Sequence, residues 1–153
     1  FLLRDDIETI HAATDLLAEA KLSPELRNEA LYYRAKAYTK QKADKKAMED
    51  YRELAKDTRN PYGAEAKYQV AQSLYDAKEY AAAEKELLNY IEQSTPHAYW
   101  LARSFILLSD VYHATGKDLD ARQYLLSLQQ NYQGNDDIES MIESRLSKLK
   151  VEN

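Results

Sequence analysis

The chain has no cysteine, so neither a disulfide framework nor a thiolate metal site is open to it. That absence suits cytosol and periplasm alike. Glycine and proline are scarce, three of each, which disfavours the many turns of an all-β fold and favours long helices joined by short loops. Long apolar runs are also missing. The longest, such as Ala98 to Ala102 and Phe105 to Leu108, fall far short of the roughly 20 residues that span a bilayer. Positive charge is not in excess: the net charge is −5, and affinity for phosphate backbones comes largely from Lys and Arg. DNA and RNA are therefore not expected partners. Gly63, Gly116 and Gly134 stand alone, without a glycine-rich phosphate loop, so no nucleotide or other cofactor is expected.

What remains is 44% hydrophobic and 31% charged over 153 residues. That suffices for one domain, or for a short run of stacked repeats with a continuous core and solvated faces. The opening Phe1, followed by Leu2, Leu3 and Arg4-Asp5-Asp6, is neither an initiator methionine nor a signal peptide. It reads as the start of a fragment or of a processed product.

Two independent regularities run along the chain. Pro24, Pro61 and Pro96 recur at steps of 37 and 35 residues, each behind a capping side chain: Ser23, Asn60 and Thr95. Such a side chain accepts from an orphan helix N–H, while proline at the first helical position lacks a donor it does not need. Small residues also recur in pairs twelve apart, as Ala35 with Ala47, Ala71 with Ala83 and Ser109 with Ala121. Between the members of each pair lies a break, at 41–43, 78–79 and 116–117. Large residues follow at i+3 or i+4: Tyr38, Leu74 and Tyr112, then Tyr51, Leu87 and Leu125. Small residues let antiparallel helices approach and large ones fill the space beside the crossing.

The spacing predicts helices over 5–21, 24–40, 44–58, 61–77, 80–94, 96–115, 118–132 and 136–149, with Gly116 as a left-handed cap and Asp136 with Glu139 as a capping box. An up-and-down bundle gives no reason for a period near 36, so stacked hairpins are expected.

These units resemble tetratricopeptide repeats. In the middle unit Val70, Ala71, Leu74, Tyr80, Ala83 and Leu87 follow the family pattern, with Tyr90 replacing the last small residue. Phe105, Leu108, Ser109, Tyr112, Gly116, Ala121 and Leu125 follow it in the third, with Leu128 at that last position. The first keeps Leu31, Ala35, Tyr38, Ala47 and Tyr51 but has Arg34 where an aliphatic residue belongs; its stem still covers apolar surface. The longer, tyrosine-rich units are similar to tetratricopeptide proteins of Gram-negative envelopes, which favours a periplasmic or envelope location; the third unit departs from that finer pattern at Ser104 and Ile106.

The resemblance implies an all-α fold: a right-handed superhelix, or solenoid, of stacked antiparallel hairpins forming a single domain over 1–153. Its parts are a half repeat at 5–21, repeats at 24–58, 61–94 and 96–132, and a terminal capping helix at 136–149, whose Ile138, Met141, Ile142, Leu146 and Leu149 share one side.

It also implies a concave groove that holds a protein or peptide. Counting from each small residue, the inward positions are Glu29, Tyr32, Lys36, Thr39 and Lys40; then Glu65, Tyr68, Gln72, Tyr75 and Asp76; then Arg103, Ile106, Asp110, His113 and Ala114. Thirteen tyrosines allow two readings of Tyr32, Tyr68 and Tyr75, as interface anchors or as packing wedges. Lys36, Tyr32, Tyr68 and Gln72 do not match the clamp that grips chaperone C-terminal tails. A structural spacer or self-association segment of a larger array is the alternative role, and the 5–21 helix, resembling half of a hairpin, fits it.

Chemistry finds little footing. Ser109, Asp110 and His113 lie on one helix, where adjacent residues point about 100° apart and cannot form a serine–histidine–aspartate relay. The pairs His11 with Asp15 and Asp110 with His113 lack a third ligand, so no metal site and no enzyme is expected. His97 reads as a surface residue near a helix start. Lys36, Lys40, Lys42, Lys45 and Lys46 read as a solvated helix end and turn, or as a patch for an acidic partner segment or anionic lipid headgroups. Trp100 reads as packing against the preceding helix or as an exposed anchor.

Overall fold

The computed structural model of the chain describes residues 2–93 and 96–149. Eight helices occupy them: α1 (Leu2–Leu17), α2 (Pro24–Lys40), α3 (Asp44–Leu54), α4 (Pro61–Asp76), α5 (Tyr80–Glu92), α6 (Ala98–Ala114), α7 (Asp118–Asn131) and α8 (Ile138–Leu146). No strand occurs among the described residues. The expected order of helices and breaks is present, with most ends drawn in by a few residues.

Two of the three proline starts behave as anticipated. Ser23 Oγ accepts from Leu26 N at 3.3 Å ahead of Pro24, and Asn60 Oδ1 accepts from Gly63 N at 2.8 Å ahead of Pro61. The third differs. Thr95 lies outside the described residues, and α6 begins at Ala98, two residues after Pro96. Ala98 N bonds back to Pro96 O at 3.1 Å, a tight turn that delays the helix. At the last helix, Asp136 Oδ1 accepts from Ile138 N at 3.0 Å, and α8 starts at Ile138 rather than at Asp136.

Each hairpin turns through one left-handed residue: Lys42 at φ 58°, Lys78 at φ 63° and Gly116 at φ 79°. The bonds around them repeat. Ala43 N reaches Tyr38 O at 2.8 Å, Glu79 N reaches Leu74 O at 2.9 Å, and Lys117 N reaches Tyr112 O at 2.7 Å. This is the closing bond of a Schellman turn, which satisfies a carbonyl that the helix end orphans. The turns are spaced like the paired small residues, so backbone and side chains carry the same period.

The chain forms two compact units, Phe1–Val70 and Ala71–Asn153. In the first, α2 packs on α1 and on α3. Ala35 and Ala47 are fully buried, as their role at the crossing requires, and Tyr51 and Leu54 are buried behind them. Gly63 marks a close approach: a Cβ there would lie 1.8 Å from the Asp57 carbonyl oxygen, so only glycine lets the first turn of α4 sit against this connection.

In the second unit α6 packs on α5 and α7, and α8 packs on α6 and α7. Ala71, Ala83, Ser109 and Ala121 are buried, with Leu87 and Leu125 beside them. Ala102, Ile106, Leu125, Leu128, Ile138 and Ile142 form its core. Each large aliphatic side chain withdrawn from water there contributes about 1.5–3 kcal/mol. Consecutive helices thus pack on one another within each unit, as in a helical repeat.

Candidate functional site

Several inward-assigned residues meet in the first unit around a buried carboxylate. Glu65, on the first turns of α4, accepts from the Tyr32 hydroxyl at 2.8 Å and pairs with Lys36 Nζ at 2.7 Å. Tyr32 and Lys36 are one turn apart on α2, so both reach the same acceptor. The ammonium also lies 5.1 Å from the centre of the Tyr32 ring, and the Tyr62 ring packs against Tyr32 at 4.6 Å. Burial works against the Lys36 charge, but the hydrogen bond and attraction of Glu65 outweigh it and raise its pKa. Burial and Glu65 together raise the pKa of the Tyr32 phenol.

Beside this clasp, Arg34 forms a fork with Asp50 of α3, at 2.8 Å from Nε and 2.7 Å from Nη2, and reaches Thr14 of α1 at 3.1 Å. The guanidinium placed where an aliphatic residue was expected therefore ties three helices together.

In the second unit a cavity of about 360 Å³ is bordered by Gln72, Tyr75, Ser109, Asp110, His113, Arg145, Lys148 and Leu149. Four of these, Gln72, Tyr75, Asp110 and His113, are among the residues assigned inward from sequence. Asp110 pairs with Arg145 of α8 at 3.3 and 3.4 Å. Burial raises the pKa of the Asp110 carboxyl, and the nearby Arg145 only partly pulls it back. Gln72 donates to Asp76 at 2.9 Å, and His113 Nδ1 lies 2.8 Å from Asp118 Oδ1. Ser109 Oγ is buried with no hydrogen-bond partner among the described residues. The lining mixes carboxylate, guanidinium, ammonium, imidazole, amide and phenol, a set suited to a polar side chain or exposed backbone of a bound segment.

No family model, curated protein or solved structure matches the chain.

Other assignments fare differently. Ile106 is 1% exposed and belongs to the core of the second unit, because α8 covers that side of α6; it is a packing residue and lines no surface. Tyr68 is 6% exposed, so the wedge reading applies to it and its removal would damage the fold. Thr39 spends its hydroxyl on the Ala35 carbonyl at 2.9 Å, and Lys40 is exposed at the end of α2. Arg103 turns to Tyr99, bonding its hydroxyl at 2.9 Å beneath the Trp100 ring, while Trp100 packs edge-on against Tyr99 and is half-buried.

The lysine run does not act as one patch. Lys36 is paired with Glu65, Lys42 forms a turn, and Lys46 lies over the Tyr38 ring at 5.8 Å. Asp110 and His113 each have a protein partner other than the other. Among the described residues no three His, Asp or Glu side chains converge as metal ligands, and no helix is long and apolar enough to cross a membrane. The sequence reading missed Arg145, Lys148 and Asp50. A hint lay in Arg34, whose buried charge demands a carboxylate nearby.

Proposed function

We propose that this chain is a protein-interaction scaffold of tetratricopeptide type, in which stacked hairpins form a groove that holds a segment of a partner protein. The single observation that carries the reading is the cavity of the second unit. Residues assigned inward from the repeat pattern alone, on α4 and α6, border one concave space together with two cations, Arg145 of α8 and Lys148 in the turn just beyond it. A volume of about 360 Å³ accommodates an anchoring side chain with its flanking backbone rather than a large cofactor. Tyr75 supplies rigid aromatic area with a hydroxyl at low entropic cost, as interface anchors do. Lys148 is exposed and makes no ion pair among the described residues, so a partner carboxylate is free to meet it.

The test is affinity capture with the immobilised chain, in parallel with Tyr75→Ala and Lys148→Glu variants whose thermal melts overlay that of the original. A partner retained by the original and lost from both variants supports the reading. A partner retained equally by all three refutes it.

A further inference from the structure

The 36-residue repeat places Leu26, Glu29, Ala30 and Tyr33 of α2 in register with Tyr62, Glu65, Ala66 and Gln69 of α4. The two sets share a buried alanine, Ala30 and Ala66, but their carboxylates have opposite fates. On α4, Glu65 is 7% exposed, Ala66 is fully buried and the Tyr62 ring is packed on Tyr32, because α2 lays Tyr32 and Lys36 across them. On α2, Ala30 is buried, but Leu26 is 45% exposed, Tyr33 is 51% exposed with its hydroxyl near that of Tyr62, and Glu29 is exposed without an ion pair or hydrogen bond among the described residues. Leu26, Glu29, Ala30 and Tyr33 follow the i, i+3, i+4, i+7 spacing of a single helix face. A shallow cavity of about 390 Å³ runs beside Glu29, Ala30 and Tyr33, floored by Ala12, Ala13 and Leu16 of α1.

Leu26, Glu29 and Tyr33 thus stand exposed around a buried Ala30, where the repeat counterpart of Glu29 is covered by a helix carrying a hydroxyl and an ammonium one turn apart. We propose that the α1–α2 face docks an α-helix of a partner polypeptide that presents a hydroxyl and, one turn later, an ammonium to Glu29. The apolar side chains supply the buried area and Glu29 supplies the register, as Glu65 does for α2. A second copy of this chain is a poor occupant, since its own Tyr32 and Lys36 are committed to Glu65.

The probe is a synthetic peptide with the sequence of residues 24–40, held helical by a lactam bridge on the side away from Tyr32 and Lys36, and titrated with the full chain by fluorescence anisotropy. Saturable binding is expected. Glu29→Lys in the chain, an exposed change that leaves the melt in place, weakens it by about ten-fold or more, the loss of one charge-assisted contact. Changing Lys36→Glu in the peptide restores affinity for the Glu29→Lys chain. Absence of saturable binding, or equal affinity for both chains, overturns the proposal. So does a concentration-dependent dimer of the chain alone that Glu29→Lys dissolves, because the face then belongs to a second copy.

Discussion

The three hairpin turns make opposite predictions for chemically simple changes. Lys42 and Lys78 hold φ values of 58° and 63°, a region where a Cβ costs about 1–2 kcal/mol. Replacing either by glycine removes that strain but adds unfolded-state freedom worth about 0.4–1 kcal/mol. Lys42→Gly and Lys78→Gly are thus each expected to stabilise by about 0.5–1 kcal/mol, or about 1–4 °C for a chain of this size. Gly116 supplies the reverse arm. At φ 79°, and with nothing within 4 Å of a Cβ placed there, Gly116→Ala introduces backbone strain without a clash, partly offset by the unfolded-state freedom it removes, so a loss of about 0.5–1 kcal/mol is expected. Gly116→Asn loses less, because asparagine tolerates this conformation. Urea unfolding followed by circular dichroism reads all four variants, with an unchanged slope marking a pure change in stability. A lower midpoint for either lysine variant, or an unmoved midpoint for Gly116→Ala, would refute the assignment of these residues as equivalent left-handed caps.

Further outcomes follow from buried charge. Asp50 and Arg34 have side-chain exposures of 5% and 19%. Asp50→Asn or Arg34→Met alone is expected to cost about 3–5 kcal/mol in urea unfolding, while the double change Arg34→Met with Asp50→Leu recovers most of it, since only the single changes strand a charge. Asp110 carries a folded-state pKa raised above its ordinary 3.8, so the folded protein binds the proton more tightly than the unfolded one. As pH falls from the raised value toward 3.8, this group adds stability, and as pH rises through that window the gain is lost. Thermal melts across the window should show a component of this sign that Asp110→Asn removes, and an identical pH profile for that variant would exclude the assignment.

Much of the fold was legible because several physical demands coincided in the same places. Ser23 with Pro24 and Asn60 with Pro61 announced helix starts, and the small pairs Ala35–Ala47, Ala71–Ala83 and Ser109–Ala121 marked the tight crossings. Lys42 and Lys78 escaped notice because lysine has no preference for the left-handed region; only their equivalence to Gly116 signals it. The site was legible by halves. Counting from the small residues found Gln72, Tyr75, Asp110 and His113, which border one cavity, but placed Ile106 on a surface that α8 covers. Arg145 and Lys148 were missed because the last helix read as a cap with a wet face, and periodicity within one helix does not reveal what its polar side meets across the fold. Asp50 was missed for a similar reason: its partner Arg34 is sixteen residues away on another helix.

The clasp around Glu65 bears on how such an array can change length. Its anion is lodged in one hairpin while the hydroxyl and ammonium that neutralise it come from the hairpin before. Excising the residues that carry Tyr32 and Lys36 would therefore remove more than one module: it would leave a sequestered negative charge bare in the survivor. Shortening this chain in whole-repeat steps is penalised by electrostatics unless the new neighbour brings an equivalent pair, whereas duplication of the hairpin carries its own counter-charge with it.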